Sequence, residues 1–159
     1  MKDASHLLSK PKGLLKLVYK LPRYFFRWHL GWIFGHRFLM ITHIGRKSGK
    51  EHQTVLEVVH YNPSTQEYIV MSGYGEQSDW YQNILKHPAV DVQVGQAHFI
   101  PKQRLLSSEE TFKIFDHYRR IHPLAFKEIV FFMGYSYDGT SESLHAISNI
   151  LRGISLRPQ

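Results

Sequence analysis

The 159-residue chain has no cysteine. That excludes a disulfide scaffold, thiolate metal sites and a cysteine nucleophile, and it makes a reducing compartment, the cytoplasm, the expected home. Long hydrophobic runs are missing too. The most apolar stretch, 30–44, is broken by Gly35, His36, Arg37 and His43, and no window approaches the ~20 apolar residues of a spanning helix. Charges recur from Lys10 through Arg27, so the start lacks the basic, apolar and small-residue order of a signal peptide. Acidic residues are scarce. Only 13 Asp and Glu oppose 20 Lys and Arg, a formal charge of +7 that biases the surface toward anions. Self-contained catalytic arrays are also lacking: no nucleophile-elbow serine, no carboxylate pair for hydrolysis, and no histidine pair at helical spacing four around a glutamate. His117 and His122 lie five apart, and His43, His52 and His60 fall on neighbouring expected strands without forming a ligand set. No metal is therefore expected, and without a recognised nucleic-acid module no nucleic-acid partner is expected either. The chemistry is left to a bound cofactor.

What is present suits one core, and residues 1–159 are read as a single domain. Residues 1–36 read as N-terminal amphipathic helices, kinked at Pro22. Lys12, Lys16, Lys20, Arg23 and Arg27 form a basic stripe opposite Leu14, Val18, Leu21, Phe25, Trp28 and Trp32, a face suited either to docking on the protein itself or to peripheral contact with an anionic membrane. Residues 37–106 read as a barrel core. Segments 38–44, 52–61 and 67–72 are rich in β-branched and aromatic residues, segment 89–94 alternates Val90, Val92 and Val94 with polar positions, and Gly95-Gln96 turns it into a fifth strand over 97–105. Ser78 is placed to cap a short helix that Pro88 ends. Residues 107–159 read as C-terminal helices: a capping box of Ser107 with Glu110 opens the first, Pro123 starts the second, and 141–151 is the last. Five antiparallel strands with flanking helices make an α+β barrel.

The motif with most chemistry in it is Gly45-Arg46-Lys47-Ser48-Gly49-Lys50, between the first two strands. It is one residue too short between its glycines, and lacks the hydroxyl after its lysine, to be a nucleotide-triphosphate loop. A turn with a glycine near each end, cations and a hydroxyl can nevertheless present backbone N–H groups and charge to one phosphate. Behind it follow Gln53-Thr54-Val55-Leu56, then Ser72-Gly73-Tyr74-Gly75, then Trp80-Tyr81-Gln82-Asn83 with Pro88, and then Val90-Asp91-Val92-Gln93-Val94-Gly95.

This series resembles the deazaflavin-dependent, nitroreductase-like family related to the flavin-binding split barrels, most strongly over 38–105. The resemblance implies a split β-barrel, coenzyme F-420 as cofactor, and hydride transfer to a small conjugated acceptor such as a quinone, an enone or a nitro compound. It implies that Arg46, Lys47 and Ser48 meet the coenzyme's phosphate and acidic tail and that His52, Gln53, Thr54, Val55 and Leu56 line the same groove. Met71, Ser72 and Gly73 would lie beside the ring system, and Trp80, Tyr81 and Asn83 would close the pocket. Relatives often carry Pro-Arg and a later proline where this chain has Glu51, His52 and Val55, which puts an imidazole where a guanidinium is usual. Three alternatives stand beside the leading reading: flavin mononucleotide (FMN) in place of the deazaflavin, a non-catalytic barrel holding a fatty acid or haem-like ligand, and Trp80 as a core anchor. A homodimer is among the expected assemblies.

Overall fold

A computed structural model describes residues 35–159. The expected N-terminal helices and their basic stripe fall on 1–34, outside the described residues. The first strand, β1 (Phe38–Ile44), pairs antiparallel with β2 (Glu51–Asn62) from Phe38 opposite Glu57 to Ile44 opposite Glu51. The turn between them is held by Gly45 N–H to the Lys50 carbonyl and by Gly49 N–H to the Gly45 carbonyl, both at 2.8 Å. Gly49 sits at φ +67°, where a side chain would strain the backbone. Beyond Glu57 the second strand changes partner. After a bulge between Val58 and His60 it runs beside β3 (Glu67–Ser72), with Asn62 opposite Glu67.

After β3 come a single 3-10 turn at Gly75–Gln77 and α1 (Asp79–Lys86). Ser78 stands at the cap position of α1, yet its side chain does not cap the helix; its hydroxyl lies 2.6 Å from that of Ser72 instead. Strand β4 (Asp91–Val94) joins the far side of β1 and carries β5 (Ala97–Phe99). The expected single strand over 97–105 is broken. Pro101 cannot donate a ladder hydrogen bond, and after Ile100 the chain leaves β4 to form β6 (Pro101–Leu105). Helices α2 (Ser108–Ile121), α3 (Pro123–Phe132) and α4 (Ser141–Ile150) follow. The capping box of Ser107 and Glu110 is present at the start of α2.

The chain then returns to the sheet, where the sequence reading expected only helix. Strand β7 (Arg152–Pro158) lies between β3 and β6, giving the order β5-β4-β1-β2-β3-β7-β6. The two edge strands are joined through Ile100 alone, so the seven-stranded sheet must curl until its edges meet. This is the split barrel, with seven strands in place of five. Its interior is filled by Leu39, Ile41, Val58, Val70, Ile84, Val92, Ile154 and Leu156, all buried. A second apolar layer, with Val59, Ile69, Phe115, Phe126, Val130 and Ile147, fastens α2, α3 and α4 to the outer face.

Because Ile154 is fully buried in the barrel interior, Ile154→Ala should cost about 2–5 kcal/mol, the range for truncating a packed aliphatic side chain. Urea unfolding measures it. A loss below about 1 kcal/mol would contradict a closed barrel that includes β7.

Candidate functional site

The change of partner along β2 leaves a gap. From Glu51 to Glu57 its edge away from β1 has no strand partner among the described residues, since β3 pairs only with Val58 and beyond. Val58 N–H bonds to the Arg37 carbonyl and Gly45 N–H to the Lys50 carbonyl, so the even-numbered residues of β2 address β1. In an antiparallel ladder the alternate residues then face the other way. The N–H and C=O groups of Gln53, Val55 and Glu57 therefore face the gap.

That gap is the floor of a groove of about 1020 Å³. Lys47, Ser48 and His52 lie along it at the turn, Thr54, Val55 and Leu56 follow on β2, Met71 and Gly73 come from the end of β3, Trp80 and Asn83 from α1, and Ile129, Phe132 and Met133 from α3 and just beyond it. Gly73 permits a close approach: a Cβ there would fall 2.3 Å from Met133 Sδ. Its carbonyl accepts a hydrogen bond from the Tyr135 hydroxyl, and burial pushes that phenol up to about 12.

The expected site residues are mostly brought together, with three differences in role. Ser72 does not line the groove. It is fully buried, and its hydroxyl donates to the Gly75 carbonyl at 2.7 Å, which shapes the turn before α1. Tyr81 points into the barrel interior and is also absent from the lining. Arg46 borders the groove but is already engaged by α1. Its backbone N–H and its Nη1 both donate to Asn83 Oδ1 at 3.0 Å, and its Nη2 bonds Asp79 Oδ1 at 3.0 Å. The turn's remaining donors are the backbone N–H groups of Lys47 and Ser48 and the Lys47 and Lys50 side chains, none of which makes a hydrogen bond among the described residues. Asn83 is a brace for the turn.

The same amide fixes a residue that sequence reasoning weighed only as a metal ligand. Two donors on Oδ1 leave Asn83 Nδ2 facing His43 Nδ1 at 3.1 Å. His43 Nδ1 must accept, so its proton resides on Nε2, which donates to Thr54 Oγ1 at 3.0 Å. Thr54, with that lone pair occupied, turns its own hydrogen outward as a donor. His43 is buried and kept neutral: burial first, and the neighbouring His52 second, lower its pKa from 6.5 to about 4. The only advance signal was a histidine inside an apolar strand run.

A model of the F420H(2)-dependent quinone reductase family matches residues 30–128, more than half of the chain. The chain belongs to this family. It is an oxidoreductase whose coenzyme is reduced F-420, and the expectation of a non-catalytic barrel gives way to that assignment. No curated protein matches the chain. Among solved structures, one described as an F-420-dependent reductase is 21% identical, covering 77% of this chain and 96% of its own at a TM-score of 0.49. A domain-swapped dimer is 18% identical over 91% of this chain and 100% of its own, at 0.52. A conserved hypothetical protein from Mycobacterium tuberculosis is 12% identical over 80% of this chain and 76% of its own, also at 0.52. At such identities the likeness to the last two speaks for the fold. Among the described residues no helix is long and apolar enough to cross a membrane.

The lowered pKa of His43 has a stability consequence. The folded state prefers the neutral ring, so the contribution is complete above the unfolded value near 6.5 and is lost as pH falls toward 4. Urea unfolding should show about 2–3 kcal/mol lost across that window. His43→Gln, which cannot titrate, should remove most of the slope; an unchanged slope would place the titration elsewhere.

Proposed function

We propose that the groove takes the coenzyme lengthwise, with its phosphate and acidic tail at the turn and its ring system along the open edge of β2. The observation that carries this reading is the continuity of two complementary features in one groove. At one end are the N–H groups of Lys47 and Ser48, without a hydrogen-bond partner among the described residues, and the Lys47 ammonium group, with Lys50 on the same turn just outside the lining. Next to them are the outward-facing backbone groups of Gln53, Val55 and Glu57. A flat heteroaromatic with amide-like edges and an anionic tail fits both, because backbone donors and acceptors pair with ring amides and charge-assisted bonds hold phosphate.

When bound, the reduced deazaflavin supplies a hydride, and the protein contributes placement and electrostatics. Arg46, Asp79 and Asn83 hold the turn in shape. His52, with its ring beside Ser48, closes the same end. Thr54 offers the hydroxyl hydrogen that His43 leaves free, Met71 and Gly73 border the ring, and Trp80 walls the pocket. Ile129, Phe132 and Met133 make an apolar wall on the opposite side, suited to a planar apolar acceptor, and we read that acceptor as a quinone. Cytoplasmic residence, contact with an anionic membrane surface through the basic N-terminal stripe, and pairing into a homodimer belong to the same reading.

Fluorescence titration with coenzyme F-420 tests the site. Lys47→Ala with Lys50→Ala should weaken binding by roughly 2–4 kcal/mol, as expected for losing two charge-assisted contacts. Arg46→Ala should act mainly on stability, costing about 1 kcal/mol through the lost brace. FMN, with one phosphate and no acidic tail, should respond less to the lysine changes. Undiminished F-420 affinity in the double variant would remove the turn from the site.

A further inference from the structure

We propose that Glu57 donates the proton that accompanies hydride transfer, and that a second cleft, on the far side of Glu57 from the groove, returns protons to it. The proposal rests on the reading of the groove given above. Reduction of a quinone needs more than a hydride. The acceptor gains two electrons and one hydrogen as the hydride that the coenzyme gives up, together with one proton. In the step assigned here, the Glu57 O–H bond breaks and a phenolic O–H forms on the acceptor. The ring proton lost by the oxidised coenzyme goes to water, and the Glu57 carboxylate takes a proton back from water, so hydroquinone and oxidised coenzyme are the net products.

Three observations place Glu57 in this role. It lines the groove about 17 Å along the strand from His52, away from the cationic turn, in a lining that α3 shares through Glu128, Ile129 and Phe132. It also lines a separate cleft of about 570 Å³, whose walls include His36, His60, His117 and His122. One glutamate therefore borders both the substrate groove and a cavity walled by four imidazoles. Its hydrogen bonding is also lopsided. The Tyr118 hydroxyl donates to Oε1 at 2.6 Å, and Arg37 Nε stands 3.6 Å from the same oxygen, so Oε2 is the oxygen that carries the proton.

The surroundings agree with a carboxyl that holds its proton more tightly than an exposed one. Burial is the largest influence on Glu57 and raises its pKa; the Tyr118 hydroxyl and Arg37 oppose this, and Glu128 on α3 adds to it. Tyr118 is itself raised, by burial and then by Glu57, so the phenol fixes the carboxyl without competing as the acid. On the cleft side His60 and His117 present their rings edge to face at 6.2 Å.

The test is single-turnover reduction of a soluble quinone by protein loaded with reduced coenzyme, across pH. Wild-type protein should slow as pH rises and Glu57 loses its proton. Glu57→Gln, which can still accept from Tyr118, should be slower by about 100-fold or more, should lose that pH limb, and should bind coenzyme within about twofold of wild type. Glu57→Asp should recover part of the rate. In the unloaded protein, infrared difference spectra across pH should show a carboxyl that ionises above the ordinary range of an exposed glutamate and that is missing in Glu57→Gln. An unchanged rate in Glu57→Gln with normal coenzyme affinity overturns the proton-donor role alone. A Glu57 that ionises in the ordinary glutamate range overturns it as well. Absent coenzyme binding by the wild-type protein would instead overturn the reading of the groove.

Discussion

Strand β2 has to serve both halves of the curled sheet, and it does so by changing neighbours along its length: Glu51–Glu57 pair with β1, and the residues from Val58 onward pair with β3. Everything at the site depends on that handover. A strand with partners on both sides has no free backbone groups, and a strand with none has no fixed position. Half-partnered among the described residues, β2 holds Gln53, Val55 and Glu57 by one edge and leaves their other backbone groups without a strand partner. The bulge between Val58 and His60 lies where the change occurs, as bulges do where a ladder must bend.

The polar groups around the groove are arranged by a short chain of donors and acceptors that permits one proton placement. Arg46 and its own backbone N–H orient the Asn83 amide, the amide sets the His43 tautomer, and the tautomer turns the Thr54 hydroxyl. The cationic turn and the middle of the groove are thereby mechanically continuous, joined by residues on β1, β2 and α1. Buried polar chains of this kind are costly when half-satisfied and rigid when complete; here every link has its partner.

Local chemistry made much of this readable from sequence. The turn at 45–50, the capping box of α2, the proline that opens α3 and the strand patterns of β1, β2 and β3 depend on residues close together in the chain. Strand β7 was not readable: only Ile154 and Leu156 carry its alternation, Gly153 and Pro158 look like a tail, and its partners β3 and β6 are remote in sequence. The break at Ile100 had a local sign in Pro101, but a proline alone does not send a strand to a new partner; the demand for closure does. At the site, the residue types around the turn were visible, but the commitment of Arg46 to α1, the inward turn of Tyr81 and the tautomer of His43 are facts about approach across the fold. The twofold exposure of Glu57, to groove and to cleft, is of the same kind.

An open strand edge is also the surface by which β proteins stick to one another. This one begins at Glu51, immediately after Lys47 and Lys50, whose charges discourage a second edge from docking in register. The edge also lies in the groove that residues of α1 and α3 line. A ligand seated there would complete the sheet in place of a missing strand. Occupancy and solubility are in this way properties of the same seven residues.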